Sequence, residues 1–173
     1  NNSLNVWFDT LSNYDRIHYQ NEIVVFPNIN QLHELETMDI SHNNIVKLGD
    51  DLSGLSNLLH LNASHNEICD LSTLDELSSL RTLDLSYNDL GCVGLGVSPD
   101  FDSLENAPNL REIKLNNNNL TSISGLEGRD INLTILHLQN NLLTDITPIS
   151  AYTGLTELVL YNNNIVDIDD LSE

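Results

Sequence analysis

Histidine and serine, which often carry acid–base and nucleophilic chemistry, recur at regular intervals along this chain. There are 6 histidines among 173 residues. Ser41 and Ser64 each precede a histidine, and Ser86 precedes a tyrosine. The serines therefore look like copies of one repeated position, not partners in a nucleophile–base pair. The sequence predicts a protein that is not an enzyme.

Metal binding and phosphate binding are the other chemistries that these residue types allow. His42, His60 and His65 form the only histidine group worth weighing as a zinc site, but they offer no clear open-site geometry. The glycine-rich segment 91–96 has the wrong order for a dinucleotide loop, and no lysine follows it as in a P-loop. We therefore expect no metal and no cofactor.

The charge of the chain limits the class of partner. The formal net charge is −20, from 26 acidic residues against 6 Lys and Arg. Nucleic acids and anionic membrane surfaces are both held by lysine and arginine, which are scarce here. No apolar run approaches the roughly 18 residues that span a bilayer. These features argue against nucleic acid and membrane insertion, and leave a protein as the expected partner.

An internal repeat sets the elements that position these side chains. The pattern LxxLxLxxNxL begins six times, at Leu35, Leu58, Leu80, Leu110, Leu133 and Leu155. Its LxL alternation has the period of a β-strand, with the leucines on one face and the intervening residues on the other. One such strand cannot bury its apolar face alone, whereas stacked copies form a continuous core. The repeat predicts a right-handed solenoid of the α/β repeat class with a concave parallel β-sheet.

The asparagine of the pattern lies where the chain turns away from each strand. Its amide can donate to a carbonyl and accept from an N–H, which suits a ladder that satisfies orphaned backbone groups. A second apolar set follows each asparagine, and successive starts are mostly 22 or 23 residues apart. That length favours convex turns or 3₁₀ segments over a full helix. The predicted buried line is Asn43, Asn66, Asn88, Asn118, Asn141 and Asn163.

These repeats resemble the short-repeat leucine-rich class, which includes the leucine-rich regulatory subunit of protein phosphatase 1 and the bacterial internalins. The resemblance covers residues 35–171, and segment 143–149 (LTDITPI) looks much like the internalin version. It implies the fold and partner binding. Members of the class serve in phosphatase regulation, cytoskeletal and centrosomal scaffolding, and adhesion, so the fold alone does not choose among these functions.

The two ends and one insertion depart from the pattern. Residues 1–34 are expected to form an N-terminal cap with a degenerate repeat, because a terminal repeat must cover the open end of the core. Residues 35–173 hold six repeats, the last incomplete, and the native protein is expected to continue. One repeat is 30 residues long, and the insertion near 91–100 is expected to bulge as a loop that could join a binding site.

Cys69 and Cys92 fall in neighbouring repeats, offset by one position. Two cysteines are too few for a disulfide framework and lack the CxxC spacing of a metal site. Their proximity is allowed by the repeat, but the expected state is two reduced thiols in a reducing compartment.

The residues beside the strand leucines form the expected binding surface. This strand face is nearly neutral and mixed, whereas most acids lie on the turns and the convex side. His42, His65 and Tyr87 occupy equivalent places in consecutive repeats, so their rings should stack roughly 4.8 Å apart. Histidines there could also make binding sensitive to pH near about 6–7. The predicted partner-binding residues are His42, His60, His65, Tyr87, Arg111, Lys114, His137 and Tyr161.

The leading interpretation is a non-enzymatic scaffold or adaptor in the cytoplasm that binds a protein on its concave face. One alternative is an internalin-like adhesin, secreted or on a bacterial surface. The other is a regulatory subunit that positions or inhibits an enzyme. Asn62, Ala63 and Ser64 form a glycosylation motif, and a glycan on Asn62 would block the groove. This favours a cytosolic or bacterial protein over a secreted eukaryotic one.

Overall fold

The structure of the chain is a computed structural model. The described residues are 16–18, 29, 31–48, 52, 54–72, 74, 77–92, 99, 101–104, 106–127 and 132–171, with the backbone alone at 16–18 and 170. Most of the predicted cap (1–34) and most of the insertion (91–100) lie outside them. The same holds for Asp50 and Asp51, two acids expected on the convex side.

In the part of the chain that the structure describes, seven short strands form one parallel sheet in chain order. The middle residue of each strand from the second to the sixth is buried, as the LxL alternation predicts. The register pairs equivalent repeat positions, for example Met38 with Leu61 and Leu61 with Leu83. The predicted parallel sheet is thereby confirmed. The strands are β1 (Arg16–His18), β2 (Thr37–Asp39), β3 (His60–Asn62), β4 (Thr82–Asp84), β5 (Glu112–Lys114), β6 (Ile135–His137) and β7 (Glu157–Val159).

The convex side is built from turns with a period of three residues. The N–H of Leu55 donates to the carbonyl of Leu52 at 2.9 Å, and the N–H of Leu58 donates to that of Leu55 at 3.0 Å. Residues three apart are eclipsed in such turns, so leucines at this spacing all face the core. The convex prediction is confirmed, and among the described residues three turns extend into 3₁₀ helices: η1 (Phe101–Leu104), η2 (Thr147–Ile149) and η3 (Asp169–Leu171).

The asparagine line forms the predicted ladder. The Nδ2 of Asn66 donates to the carbonyls of Ile40 and Ala63, each at 3.0 Å, and its Oδ1 accepts from the N–H of Ile45 at 3.1 Å. One side chain thus bonds its own repeat and the preceding one. Buried backbone groups that no strand could pair are satisfied in this way. The buried members are Asn43, Asn66, Asn88, Asn118 and Asn141, and Asn163 is half-buried.

The core is less covered at the last repeat. Ile165 is half-buried and Ile168 is 62% exposed. The equivalent apolar set of an inner repeat, which begins with Ile45 and Leu48, is buried. The inner repeats are covered because each lies between two others, as expected for a solenoid whose repeats contact only their neighbours.

The expectation of free thiols is wrong, because Cys69 and Cys92 form a disulfide. Their Cα atoms are 5.4 Å apart, within the usual range for a bridge. The one-residue offset is no obstacle: neighbouring turns of the solenoid lie about one strand spacing apart, and Cys92 adopts a left-handed φ of 43°. The thiols therefore give no support for a reducing compartment.

The disulfide leads to a prediction for the reduced protein. The bond joins residues 23 apart, so reduction should lower the free energy of unfolding by about 3 kcal/mol through the entropy of the unfolded chain. Urea unfolding with and without dithiothreitol measures this, and thiol titration of the unreduced, denatured protein should find no free thiol. A Cys69→Ser, Cys92→Ser variant is the control, since reductant should not affect it. Two titratable thiols, or equal stability with reductant, would contradict the prediction.

Candidate interaction surface on the strand face

A groove runs across the strand face at the centre of the sheet. It has a volume of about 350 Å³ and is lined by residues of β2, β3, β4 and β5. The parallel register brings Asp39, Asn62, Asp84 and Lys114 side by side along it. The groove therefore offers carboxylates, an amide and one ammonium group, which suits directional hydrogen bonds to a partner.

Three of these side chains are oriented by the serines that follow the strands. An Oδ1 atom of Asp39, Asn62 or Asp84 accepts from the backbone N–H and the hydroxyl of the serine two residues later. The hydroxyl bonds measure 2.7, 2.8 and 2.6 Å along the chain. Each serine thus has a local partner, in agreement with its interpretation as a repeated structural position. The serines involved are Ser41, Ser64 and Ser86.

His42, His65 and Tyr87 form a stack of rings just beyond the strand ends. The ring centroids are 4.2 Å apart for His42 and His65, and 4.2 Å apart for His65 and Tyr87. The planes are nearly parallel, at 11° and 9°. All three side chains are exposed, and Tyr87 is 48% exposed. The predicted stacking is confirmed.

The backbone beneath this ring stack is left-handed. The φ angles of His42, His65 and Tyr87 are 56°, 54° and 56°. The same position in the next three repeats holds Asn117, Asn140 and Asn162, also at positive φ. Asparagine tolerates this conformation well, whereas a bulky residue such as tyrosine is a clear outlier there. The backbone conformation alone would therefore favour asparagine over tyrosine at position 87.

One ion pair and two hydrogen bonds hold the predicted residues on the strands. The Nδ1 of His60 lies 2.8 Å from the Oγ1 of Thr82. The Nζ of Lys114 lies 2.7 Å from the Oε1 of Glu112, and this hydrogen bond raises the pKa of Lys114. Farther along, the Nε2 of His137 lies 2.8 Å from the Oε1 of Glu157. His60 and Lys114 line the groove, and His137 lies beside Lys114 on the next strand.

Arg111 and Tyr161 lie apart from the other predicted residues. Arg111 immediately precedes β5, and its Nη1 donates to the carbonyls of Leu110 at 3.0 Å and Pro108 at 3.3 Å. Its guanidinium group is thus held at the edge where the strands begin, opposite the ring stack. Tyr161 follows β7 at the far end of the sheet and is 61% exposed. The two residues therefore lie in different parts of the molecule's surface.

Sequence reasoning did not select the polar residues of the groove. Asp39, Asn62, Asp84 and Glu112 flank the buried strand centres and line the groove. They stand beside the strand leucines in the sequence, but their side chains are smaller than the rings and arginines that typify interface hot spots. Among the described residues, no group of three His, Cys, Asp or Glu side chains is arranged to hold a metal ion. No described helix is long and apolar enough to cross a membrane.

Family models agree with the repeat architecture. Models described as leucine rich repeat match residues 33–90 and 79–104, and a model of two leucine rich repeats matches residues 131–173. The chain is a leucine-rich-repeat protein. Within that class it resembles the internalins: internalin C2 from Listeria monocytogenes is 26% identical, with a TM-score of 0.57 over 84% of this chain and 70% of that one.

Two further structures share the fold. The functional domain of InlJ from Listeria monocytogenes, which includes a cysteine ladder, is 23% identical, with a TM-score of 0.65 over 89% of this chain and 34% of that one. A leucine-rich-repeat protein from Leptospira interrogans is 24% identical, with a TM-score of 0.58 over 83% of this chain and 41% of that one. At these identities the likeness concerns the fold.

The curated relatives are much longer proteins. Leucine-rich repeats and immunoglobulin-like domains protein 3 of Homo sapiens is 37% identical over 68 residues, which is 38% of this chain. Protein 1 of the same name is 36% identical over 71 residues, or 40% of this chain. The match spans only 6% of the length of each relative.

Leucine-rich-repeat proteins of the internalin type are protein-interaction modules, and solenoids of this kind offer extended concave surfaces for binding.

Proposed function

We propose that this chain is a non-enzymatic module that binds a protein partner on its strand face. The ring stack of His42, His65 and Tyr87 is the observation that carries the proposal. Its rings are exposed at a backbone position that asparagine fills in later repeats. A tyrosine there costs backbone energy that asparagine would not, which favours a use of its ring in binding. Exposed aromatic rings beside a polar groove are typical of interface anchors.

The size of the surface suits this role. Seven parallel strands at a spacing of about 4.8 Å give the sheet a width of roughly 29 Å. A standard protein interface buries roughly 800 Å² on each partner, which fits a face of this width. The ring stack, His60 and Lys114 would contact the partner near the middle, and His137 and Tyr161 would contact it toward the far end. Arg111 would make a separate contact at the opposite edge.

We further propose that the module works outside the cytoplasm, on a bacterial surface or as a secreted protein. The Cys69–Cys92 disulfide is the observation that favours this location, since disulfides persist in oxidising compartments. The resemblance to internalin C2 points the same way. The cytoplasmic expectation is not supported. The scaffold and regulatory-subunit interpretations stay predictions without a specific observation in their favour.

Two variants of the chain, each immobilised as a bait for binding proteins, test the proposed surface. One carries His42→Asn, His65→Asn and Tyr87→Asn, which inserts the residue that later repeats hold at this position. Its free energy of unfolding should stay within about 1 kcal/mol of the wild type, because asparagine relieves backbone strain as stacking is lost. Its capture of the partner should fall at least about tenfold, as expected when interface anchors are removed.

The control bait carries Asp145→Asn and Asp167→Asn, two exposed turn positions outside the strand face. Asparagine keeps the Oδ1 atoms that accept from Thr147 and Asp169 at these turns. Both baits and the wild type are compared by quantitative mass spectrometry of captured surface and extracellular proteins. Equal capture by the ring-less bait, with loss on the control bait, would overturn the proposal.

A further inference from the structure

Two ionisable rings occupy adjacent places in the ring stack. The imidazoles of His42 and His65 are parallel within 11°, with centroids 4.2 Å apart, and Tyr87 covers the other side of His65. Neutral rings pack well at this separation. Two imidazolium rings at the same separation would repel each other, because like charges about 4 Å apart interact appreciably even in water. The stacked arrangement therefore disfavours a positive charge on both rings at once.

We infer that the His42–His65–Tyr87 stack is a pH-sensitive part of the binding surface, which opens in acid, where positive charge on adjacent imidazoles is repulsive, and thereby weakens partner binding. This inference rests on the proposed function and adds its regulation. Because the two imidazole centroids lie 4.2 Å apart, positive charge on both rings is accommodated only at the expense of the stacked geometry.

The surrounding charges do not cancel this repulsion. Burial and the neighbouring His42 lower the pKa of His65, and Asp84 opposes them by raising it. Other titratable groups on these strands and turns have local partners: Asp39 accepts from Ser41, His60 bonds Thr82, and Glu67 accepts from Asn44. Asp89 follows Tyr87 along the chain, two residues beyond it. The balance at His65 favours the neutral ring.

The direction of the effect follows from that balance. A histidine whose pKa in the folded protein lies below its ordinary value of 6.5 stabilises the folded arrangement fully above that pH. The stabilisation is lost as the pH falls below 6.5, since the open arrangement then binds more protons. Acid therefore opens the stack. When the stack opens, Tyr87 loses its contact with the His65 ring, and this contact no longer offsets the cost of its left-handed backbone.

The first test needs no partner. The ring protons of Tyr87 and the histidines are followed by NMR between about pH 8 and pH 5 in the wild type and in His42→Asn. In the wild type, the Tyr87 signals should move toward unstacked values over the range in which His65 titrates. In His42→Asn, the pKa of His65 should move upward, because the neighbouring charge is gone. His42→Asn should fold, since asparagine fills this position in later repeats. Tyr87 signals that do not change with pH in the wild type, or a His65 titration that is the same in both proteins, would overturn the inference.

The second test measures partner affinity at pH 7.5 and pH 5.5. The wild type should bind about tenfold more weakly at the lower pH. His42→Asn should lose less than about threefold, because it lacks the imidazole that lies against His65 in the stack. Equal pH dependence in the two proteins would overturn the regulation. If instead ring-less variants bind normally at pH 7.5, the proposed surface itself fails, and the NMR result still decides whether the stack opens.

Discussion

Replacing Asn118 with alanine is expected to lower the free energy of unfolding by about 3 to 5 kcal/mol. The Nδ2 of Asn118 donates to the carbonyls of Leu85 and Leu115 at 2.9 and 3.0 Å, and its Oδ1 accepts from the N–H of Leu90 at 3.3 Å. The side chain is fully buried, so water cannot replace these bonds. Each buried backbone group left without a partner costs about 1–3 kcal/mol. Urea unfolding of the variant measures the loss.

Asn44→Ala is the matched control for Asn118→Ala. Asn44 is exposed and makes a 3.3 Å bond to the Oε1 of Glu67. Its replacement should change the free energy of unfolding by less than about 0.5 kcal/mol, as is usual for surface sites. Equal losses in the two variants would show that the asparagine ladder does not stabilise the solenoid.

Gly91→Ala is expected to cost about 3 kcal/mol of stability. A Cβ atom at Gly91 would lie 2.2 Å from the carbonyl oxygen of Asn119 and 2.7 Å from its carbonyl carbon. Both atoms belong to the backbone of the next repeat, so the two repeats must separate to admit the methyl group. Crowding of this kind typically costs about 1–3 kcal/mol, and a backbone neighbour places Gly91 at the upper end.

Gly154→Ala is the control for Gly91→Ala, because its Cβ would lie 3.6 Å from the carbonyl oxygen of Leu133, an ordinary contact. That variant should stay within about 1 kcal/mol of the wild type, since alanine also restricts the unfolded chain. Thermal and urea unfolding compare the two. A Gly91→Ala protein as stable as Gly154→Ala would mean that the repeats do not approach each other as closely as described.

The spacing of residues was enough to predict the sheet, the ladder and the ring stack. Because equivalent positions of a solenoid stack one above the other, the sequence column that holds His42, His65 and Tyr87 becomes a spatial row. The same rule gave the register that pairs Met38 with Leu61. Features that repeat at a fixed period could therefore be predicted from the sequence alone.

Features that do not follow the period could not be predicted. The disulfide depends on the path of the chain at Cys92, where the insertion begins and φ turns positive. The orientation of Arg111 depends on its own turn, because its guanidinium group donates to the carbonyls of Pro108 and Leu110 and is held away from the groove. The bond from Ser86 to Asp84 likewise fixes a groove carboxylate through local geometry. Such contacts depend on backbone conformation, which the leucine pattern does not specify.

Calorimetric titration of the captured partner tests the central claim most directly, with Tyr87→Asn and Asp145→Asn compared against the wild type. Tyr87 lies on the strand face at the end of the ring stack, whereas Asp145 is exposed on a turn outside it. The strand-face account predicts at least about fivefold weaker binding for Tyr87→Asn, which is about 1 kcal/mol, and a change below about twofold for Asp145→Asn. Normal binding by Tyr87→Asn together with weakened binding by Asp145→Asn would contradict it, and would place the partner on the acidic turns.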